Sequence, residues 1–294
     1  MESLEHVLDI GSGGYGIVML MRHTADNSPV AVKALLRDVV VERQQCDHVM
    51  SERQLLTELR HPFLVELLAT FKDSKRLFMA MEYLKGVSFR RLRGAPLASL
   101  CLIRVVCTPL GELWSLLATK GTLSAELTRF IIGSLTLATQ HMHMRHFVYR
   151  DMKPENLMIH SDGYVKLIDF GFCKKLVRRC SWSQASQAWP LLMHDGERTF
   201  TACGTVEYMA PELIKLKGHS FEVLLSPDLT LPSGLDWDAL LNKSLVPPYV
   251  PPASEPFDTS NFEPEIDENL TGTIIFAMEV EPYPQNGDEW DINF

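Results

Sequence analysis

Tyr149-Arg150-Asp151-Met152-Lys153-Pro154-Glu155-Asn156, followed about a dozen residues later by Asp169-Phe170-Gly171, decides how this chain is read. The first run sets an acid, a cation and an amide on one loop. The second sets another acid just beyond a short hairpin. Phosphoryl transfer from a nucleotide needs that inventory: a carboxylate to orient a hydroxyl, a cation for the moving phosphate, and an amide plus a carboxylate to hold magnesium. Asp-Phe-Gly alone is common by chance. The eight-residue loop together with Asp-Phe-Gly at this spacing is specific.

The residues upstream supply what such a site needs. Val7-Leu8-Asp9-Ile10 reads as a strand running into Gly11-Ser12-Gly13-Gly14-Tyr15-Gly16, and Ile17 to Met21 reads as the next strand. Glycines permit close backbone approach, so such a loop can lay its amides over phosphates. A dinucleotide site would require a helix after the loop, and the apolar run from Ile17 argues for strand instead. Val30-Ala31-Val32-Lys33 is an apolar strand ending in a lysine. Glu42 to Leu59 has helical spacing and carries Glu52, which can face Lys33. Phe63-Leu64-Val65 and Leu77 to Tyr83 read as two further strands, and Leu123 to Arg145 as the helix that leads into the catalytic loop.

Bulk composition narrows the alternatives. The chain has 294 residues, is 46% hydrophobic and carries a net charge of -9. No Lys or Arg follows Lys243, so the acidity lies in the tail, which argues against nucleic-acid binding. Six cysteines show no C-x-x-C pair and no zinc spacing. The start lacks the basic and apolar regions of a signal peptide. The longest apolar stretch, Leu97 to Leu110, falls short of the roughly 20 residues that a bilayer span needs. A reducing, cytoplasmic compartment without a membrane span is expected.

With these residues in hand, the chain resembles a Ser/Thr protein kinase of the AGC group. It is most similar to the catalytic domain of the cGMP-dependent protein kinases, with the cAMP-dependent kinases next. Arg43-Gln44-Gln45, Ser51-Glu52-Arg53, Thr70 to Lys75, Gly111-Glu112-Leu113-Trp114, Asp169 to Phe172, Cys203 to Tyr208 and the terminal Trp290-Asp291-Ile292-Asn293-Phe294 carry the likeness. It covers roughly residues 4–86, 111–177, 196–220 and 235–268, plus the extreme C-terminus.

The resemblance implies a bilobal α+β fold. A five-stranded sheet and one helix would form a small lobe at 1–83, and a helical large lobe would occupy 84–243, with inserts near 87–110 and 177–195. An acidic tail at 244–294 would follow. It implies ATP and Mg2+ as cofactors. Gly11, Ser12, Gly13, Gly14 and Gly16 would cover the phosphates, and Lys33 would be held by Glu52. Val18, Ala31 and Met158 would sandwich adenine, with Met81, Glu82 and Tyr83 as the hinge. Asp151 would take the substrate hydroxyl proton and Lys153 would steady the γ-phosphate. Asn156 and Asp169 would hold the metal.

The resemblance also implies regulation and specificity. Thr201 stands at the activation-loop position that an activating kinase would phosphorylate, with Arg150, Lys174 and His48 as the cations around it. Glu112, Glu155 and Thr205 would face protein substrates, the two acids meeting basic residues ahead of the phosphoacceptor. The tail from Phe257 to Phe262 would cross the nucleotide pocket, and Trp290 with Phe294 would dock on the small lobe.

One departure is large. After Ala210-Pro211-Glu212 the family continues for roughly a hundred mostly helical residues, as the resemblance has it, whereas here Ser220 passes almost directly to Gly234-Leu235-Asp236-Trp237. The central and later helices of the large lobe are therefore expected to be missing. The apolar faces of 123–145 and of the catalytic loop are expected to lie exposed. The alternative function is a catalytically impaired kinase fold that binds nucleotide or a partner.

Overall fold

The computed structural model describes residues 3–13, 16–84, 113–176, 198–201, 203–215, 217–220, 234–251, 257, 291 and 294. Both expected inserts, Gly14, Glu112, Phe262 and Trp290 lie outside the described residues.

Strands β1 (Leu4–Gly13), β2 (Gly16–His23), β3 (Pro29–Leu36), β4 (Leu67–Lys72) and β5 (Arg76–Glu82) form one antiparallel sheet in the order β1-β2-β3-β5-β4. Period-two alternation sorts its side chains. Ile17, Met19 and Met21 join Val30, Val32, Ala34, Phe78 and Ala80 on one face. On the other, Leu35, Leu77, Met79 and Met81 meet Val49, Leu55, Leu56 and Leu59 of helix α2 (Cys46–Glu58) and its C-terminal edge. Each fully buried leucine here stabilises the packing by about 1.5–3 kcal/mol. The same parity places Lys33, between Ala34 and Val32 and opposite Met79, on the face that α2 covers.

Two expectations about this lobe need correction. The helix expected from Glu42 begins at Cys46, because Gln44 is left-handed with φ 55° and breaks the ladder. A separate short helix, α1 (Arg37–Glu42), precedes the break. Phe63-Leu64-Val65 is no strand of the sheet. Its main chain pairs with Leu167 instead, Val65 donating to Leu167 O at 3.0 Å and Leu167 to Phe63 O at 2.8 Å. The edge strand is β4, a few residues later, whose half-exposed side chains give a weaker apolar signal.

The second lobe is built on α3 (Leu113–Lys120) and α4 (Ala125–Met144). Ser124 caps α4, its Oγ accepting from Leu127 N at 3.2 Å. Beyond β6 (Phe147–Val148), the catalytic loop closes with a 3-10 turn at Pro154–Asn156. The hairpin of β7 (Leu157–Ile159) and β8 (Val165–Leu167) follows, and β9 (Lys174–Lys175) returns to pair with β6. Two short helices complete the described part: α5 (Pro211–Ile214) and α6 (Trp237–Leu241).

The face of α4 is better covered than the sequence suggests. Phe130, Ile131, Ala138 and Met142 are buried, as are Tyr149, Leu157 and Met158 around the catalytic loop. Part of the cover is α6. A Cβ on Gly133 would come within 2.4 Å of Leu235 Cδ2 and 2.9 Å of Leu240 Cδ2, so the glycine makes the seat for this short helix. The chain continues as a strap over the β7–β8 turn. Lys243 Nζ donates to Asp162 Oδ2 at 3.0 Å and Tyr164 Oη to Leu245 O at 2.7 Å. Gly163, at φ 83°, lies close enough to Pro247 and Tyr249 O that a side chain there would collide with both. Asp236-Trp237 therefore opens a helix that supports α4 from one side, although its flanks resemble the tail.

Candidate active site

The site begins where β3 meets α2. Lys33 Nζ donates to both Glu52 carboxylate oxygens at 2.7 Å, and both side chains are buried. Such a pair is expensive to break, because removing one partner strands the other charge in a low dielectric. It also points the lysine inward, where its charge acts on Asp169.

The glycine turn between β1 and β2 closes with Gly13 opposite Gly16. A Cβ on Gly16 would stand 2.1 Å from Ala34 O, so only glycine lets β2 start against β3. Behind the turn, Val18 and Ala31 form a small apolar cluster with Ile10, Leu20 and Tyr83, and Phe257 of the tail packs on it. The Arg22 guanidinium lies 4.7 Å from the centre of the Phe257 ring. Met81 pairs with Ala31 across the sheet, Glu82 ends β5, and Met158 is fully buried on β7.

The catalytic loop forms a closed hydrogen-bonded knot around Asp151, which is 3% exposed. Its Oδ1 accepts from Thr205 N and Thr205 Oγ1, both at 2.8 Å. Its Oδ2 accepts from Lys153 Nζ at 2.6 Å and from Asn156 Nδ2 at 3.1 Å. Lys153 also donates to Thr205 Oγ1 at 2.7 Å, and Asn156 Nδ2 to Asp151 O at 2.8 Å. Gly204, at φ 102°, lets the Thr205 segment approach: a Cβ there would be 2.6 Å from Arg150 O.

Two oxygens are left over, and they suit a hard cation. Asn156 Oδ1 is buried with no hydrogen-bond partner among the described residues. Asp169 is partly buried, and the desolvation it suffers lifts its carboxyl to about 7, with Lys33, the Gly171 N–H and Lys153 opposing the rise and the Glu52 charge adding to it. Among the described residues its Oδ1 accepts only the 3.2 Å bond from Gly171 N, and its backbone is left-handed at φ 56°. An orphaned amide oxygen and an under-stabilised carboxylate are the oxygen donors that Mg2+ takes. Tyr149 anchors this region from below, donating to Ile168 O at 2.6 Å and meeting Phe170 edge-on at 5.7 Å.

The residues read as regulatory also converge. Arg150, at φ 70°, donates Nε to Phe172 O at 2.7 Å, and its Nη1 is buried with no partner among the described residues. Lys174 Nζ donates to Thr199 Oγ1 at 3.1 Å, and Thr199 Oγ1 lies 3.5 Å from the exposed Thr201 hydroxyl. His48 donates Nδ1 to Gln45 Oε1 at 2.6 Å. Burial, then the charges of Arg150 and Lys174, hold its imidazole below the usual range against Asp47. Of the two acids expected to face substrate, Glu155 has a buried Oε2 without a partner among the described residues. Burial and then its charge raise the Tyr208 phenol.

Sequence reasoning missed two features. Lys166 lies under apolar neighbours on β8, yet it is buried and ion-paired to Glu82. Asp291, completely buried, accepts from Arg37 Nε at 2.6 Å and through its carbonyl from Lys72 Nζ at 2.5 Å, while Phe294 joins the main core under Arg53. The terminal aromatic was expected to dock. The acid that locks it gave no signal, because both cations lie far away in sequence.

A sheet carrying an ion-paired lysine, joined to a helical lobe that carries this knotted acid loop and a second, partly buried acid, defines the protein kinase class. The protein kinase domain family matches residues 4–224, and the chain belongs to it. It is 36% identical over 222 residues to cGMP-dependent protein kinase 2 of Mus musculus, covering 76% of this chain and 24% of that protein. It is 36% identical over 220 residues to cGMP-dependent protein kinase, isozyme 2 forms cD5/T2, of Drosophila melanogaster, covering 74% and 19%. The cAMP-dependent protein kinase catalytic subunit of Dictyostelium discoideum is 32% identical over 219 residues, covering 74% and 27%. The chain thus spans about a quarter of the length of the first of these relatives, and these similarities bear out the AGC-type resemblance. Among the described residues no helix is long and apolar enough to cross a membrane.

Proposed function

We propose that this chain is an ATP-dependent Ser/Thr protein kinase that transfers the γ-phosphoryl group to proteins with basic residues ahead of the phosphoacceptor. The observation that carries the reading is the knot of Asp151, Lys153, Asn156 and Thr205, assembled in one fold with the Lys33–Glu52 pair. Magnesium, when bound, supplies the charge that neutralises the phosphates. Asn156 and Asp169 would hold it, and Lys33 would reach the α- and β-phosphates. Gly11, Ser12, Gly13, Gly14 and Gly16 would cover them. The apolar walls Val18, Ala31 and Met158 would exclude water from the adenine, with the backbone of Met81 to Tyr83 as the hinge. Asp151 would accept the proton of the incoming hydroxyl, and Lys153 would steady the transferred group. The domains follow as 1–83, 84–243 and 244–294.

The unpartnered Glu155 oxygen supports a guanidinium as the preferred substrate contact, because a buried carboxylate oxygen gains most from a bidentate cation. Glu112 would add a second acid. The test is γ-phosphate incorporation from Mg-ATP into an arginine-rich peptide. Transfer is expected to require magnesium and to vanish in Asp169→Ala. A folded protein that binds Mg-ATP and transfers nothing overturns the reading. It would leave the impaired nucleotide binder, which the short passage from Ser220 to Gly234 favours.

Thr201 would be the target of an activating kinase. A phosphate there carries close to two charges. It would face the unpartnered Arg150 Nη1, Lys174 and His48. His48 lies one helical turn before Glu52, so gripping it would steady the Lys33 pair. Phosphorylation is expected to raise kcat/KM by about 5- to 150-fold, the range of ordinary site-to-site coupling. Arg150→Ala should abolish that response. An equal rise in the variant would rule out this route.

A further inference from the structure

One largely buried ion pair ties the two lobes together beside the candidate nucleotide slot. Glu82 is the last residue of β5. Its Oε1 accepts from Lys166 Nζ on β8 and from Glu66 N at 2.8 Å, while Glu82 N donates to Glu66 O at 3.0 Å. Both side chains are largely buried, so the pair is weakly screened.

The neighbours of this pair are the walls of the slot. Glu82 follows Met81, which pairs with Ala31 on the small-lobe side. Lys166 is the cross-strand partner of Met158 on the large-lobe side. The next residue, Leu167, is hydrogen-bonded to the Phe63–Val65 segment, and Ile168 N donates to Asn156 O at 2.9 Å. Hinge, floor and the start of Asp169-Phe170-Gly171 therefore meet at one joint, and Lys166 to Glu82 is the ion pair that crosses it from β8 to β5.

We propose that Lys166 is a positioning residue: by pinning the hinge at Glu82 to the strand opposite Met158, it fixes the separation between the two walls of the adenine slot. A lysine suits this task because its long stem crosses between the strands while its ammonium takes the carboxylate. A neutral side chain would leave the partly buried Glu82 carboxylate with one donor fewer and free the hinge to ride over the floor. The identity of the ligand rests on the kinase reading. The mechanical joint does not.

The test uses Lys166→Met, Glu82→Gln, the double variant and Lys166→Arg. Without nucleotide, amide hydrogen exchange in 79–84 and 157–168 is expected to quicken together in Lys166→Met. KM for ATP, and Kd for ADP, should rise roughly 10-fold, within the usual range of pairwise coupling, while kcat changes less than about threefold. The double variant should be no worse than either single, and Lys166→Arg should recover most of the loss. Unchanged exchange and KM in Lys166→Met, or full additivity in the double variant, would overturn the proposal. If the wild-type protein binds no nucleotide, the kinase reading fails, and the exchange coupling alone decides for or against the joint.

Discussion

Asp151→Asn is expected to lose roughly 10²- to 10⁴-fold in kcat, the share usually carried by a positioned base, while the protein remains folded. The carboxylate is saturated: Oδ1 takes the Thr205 N–H and hydroxyl, and Oδ2 takes Lys153 and Asn156. Asparagine keeps the volume but offers one acceptor oxygen. Two of the four donors would then face an amide N–H and lose their partner, at a cost of about 1–3 kcal/mol. The stability loss is thus bounded and visible as a lowered Tm, while the rate loss is much larger than any fraction unfolded could produce. Nucleotide affinity should change little, because Lys33, Glu52 and the glycine turn do not touch Asp151. A variant with near wild-type kcat would show that Asp151 orders the loop without serving the reaction.

Much of this site was legible because its determinants are local. Lys33 is placed by strand parity, Glu52 by helix spacing, and the knot by a loop whose members lie within six residues of each other, with Thr205 the one distant contributor. The same locality explains the failures. Helix α1 is stabilised at Arg37 by a bond to Asp291, 254 residues away, so no window of sequence could show why it forms. Phe63-Leu64-Val65 has strand-like composition, yet its partner is β8 rather than β5. Lys166 reads as the polar member of a short strand, and only the position of Glu82 turns it inward. The α6 seat depends on a missing side chain at Gly133, a hole that composition cannot announce. Packing of the tail onto α4 was therefore underestimated, although the lost helices were inferred from the sequence.

The pH dependence of stability should separate Asp169→Asn from the wild type without any assay of transfer. Burial raises the Asp169 carboxyl from 3.8 to about 7. A raised acid favours the folded state while protonated, so its contribution is fully present below about pH 4 and is lost as pH rises through 7. A shift of this size corresponds to at most on the order of 4 kcal/mol. Besides His48, three histidines act in the opposite sense. Burial lowers His61 to about 3, and His141 and His143 to about 4, with the His141 charge acting on His61 and Arg145 on both His61 and His141. Their depressed values make the fold gain stability between about pH 4 and 6.5, where the unfolded chain alone binds those protons. Three such groups outweigh one carboxyl, so wild-type stability should rise across that window and then fall slightly towards pH 7.5. Asparagine mimics the neutral acid at every pH. Asp169→Asn should therefore match the wild type near pH 4, climb more steeply, and stay flat above pH 6.5. Urea unfolding from pH 4 to 8 reads this as a gap that opens with pH, and parallel curves would mean that Asp169 titrates as an ordinary carboxylate. Added Mg2+ and nucleotide should close the gap from the wild-type side, because a bound cation takes over the charge that burial penalises and releases the proton.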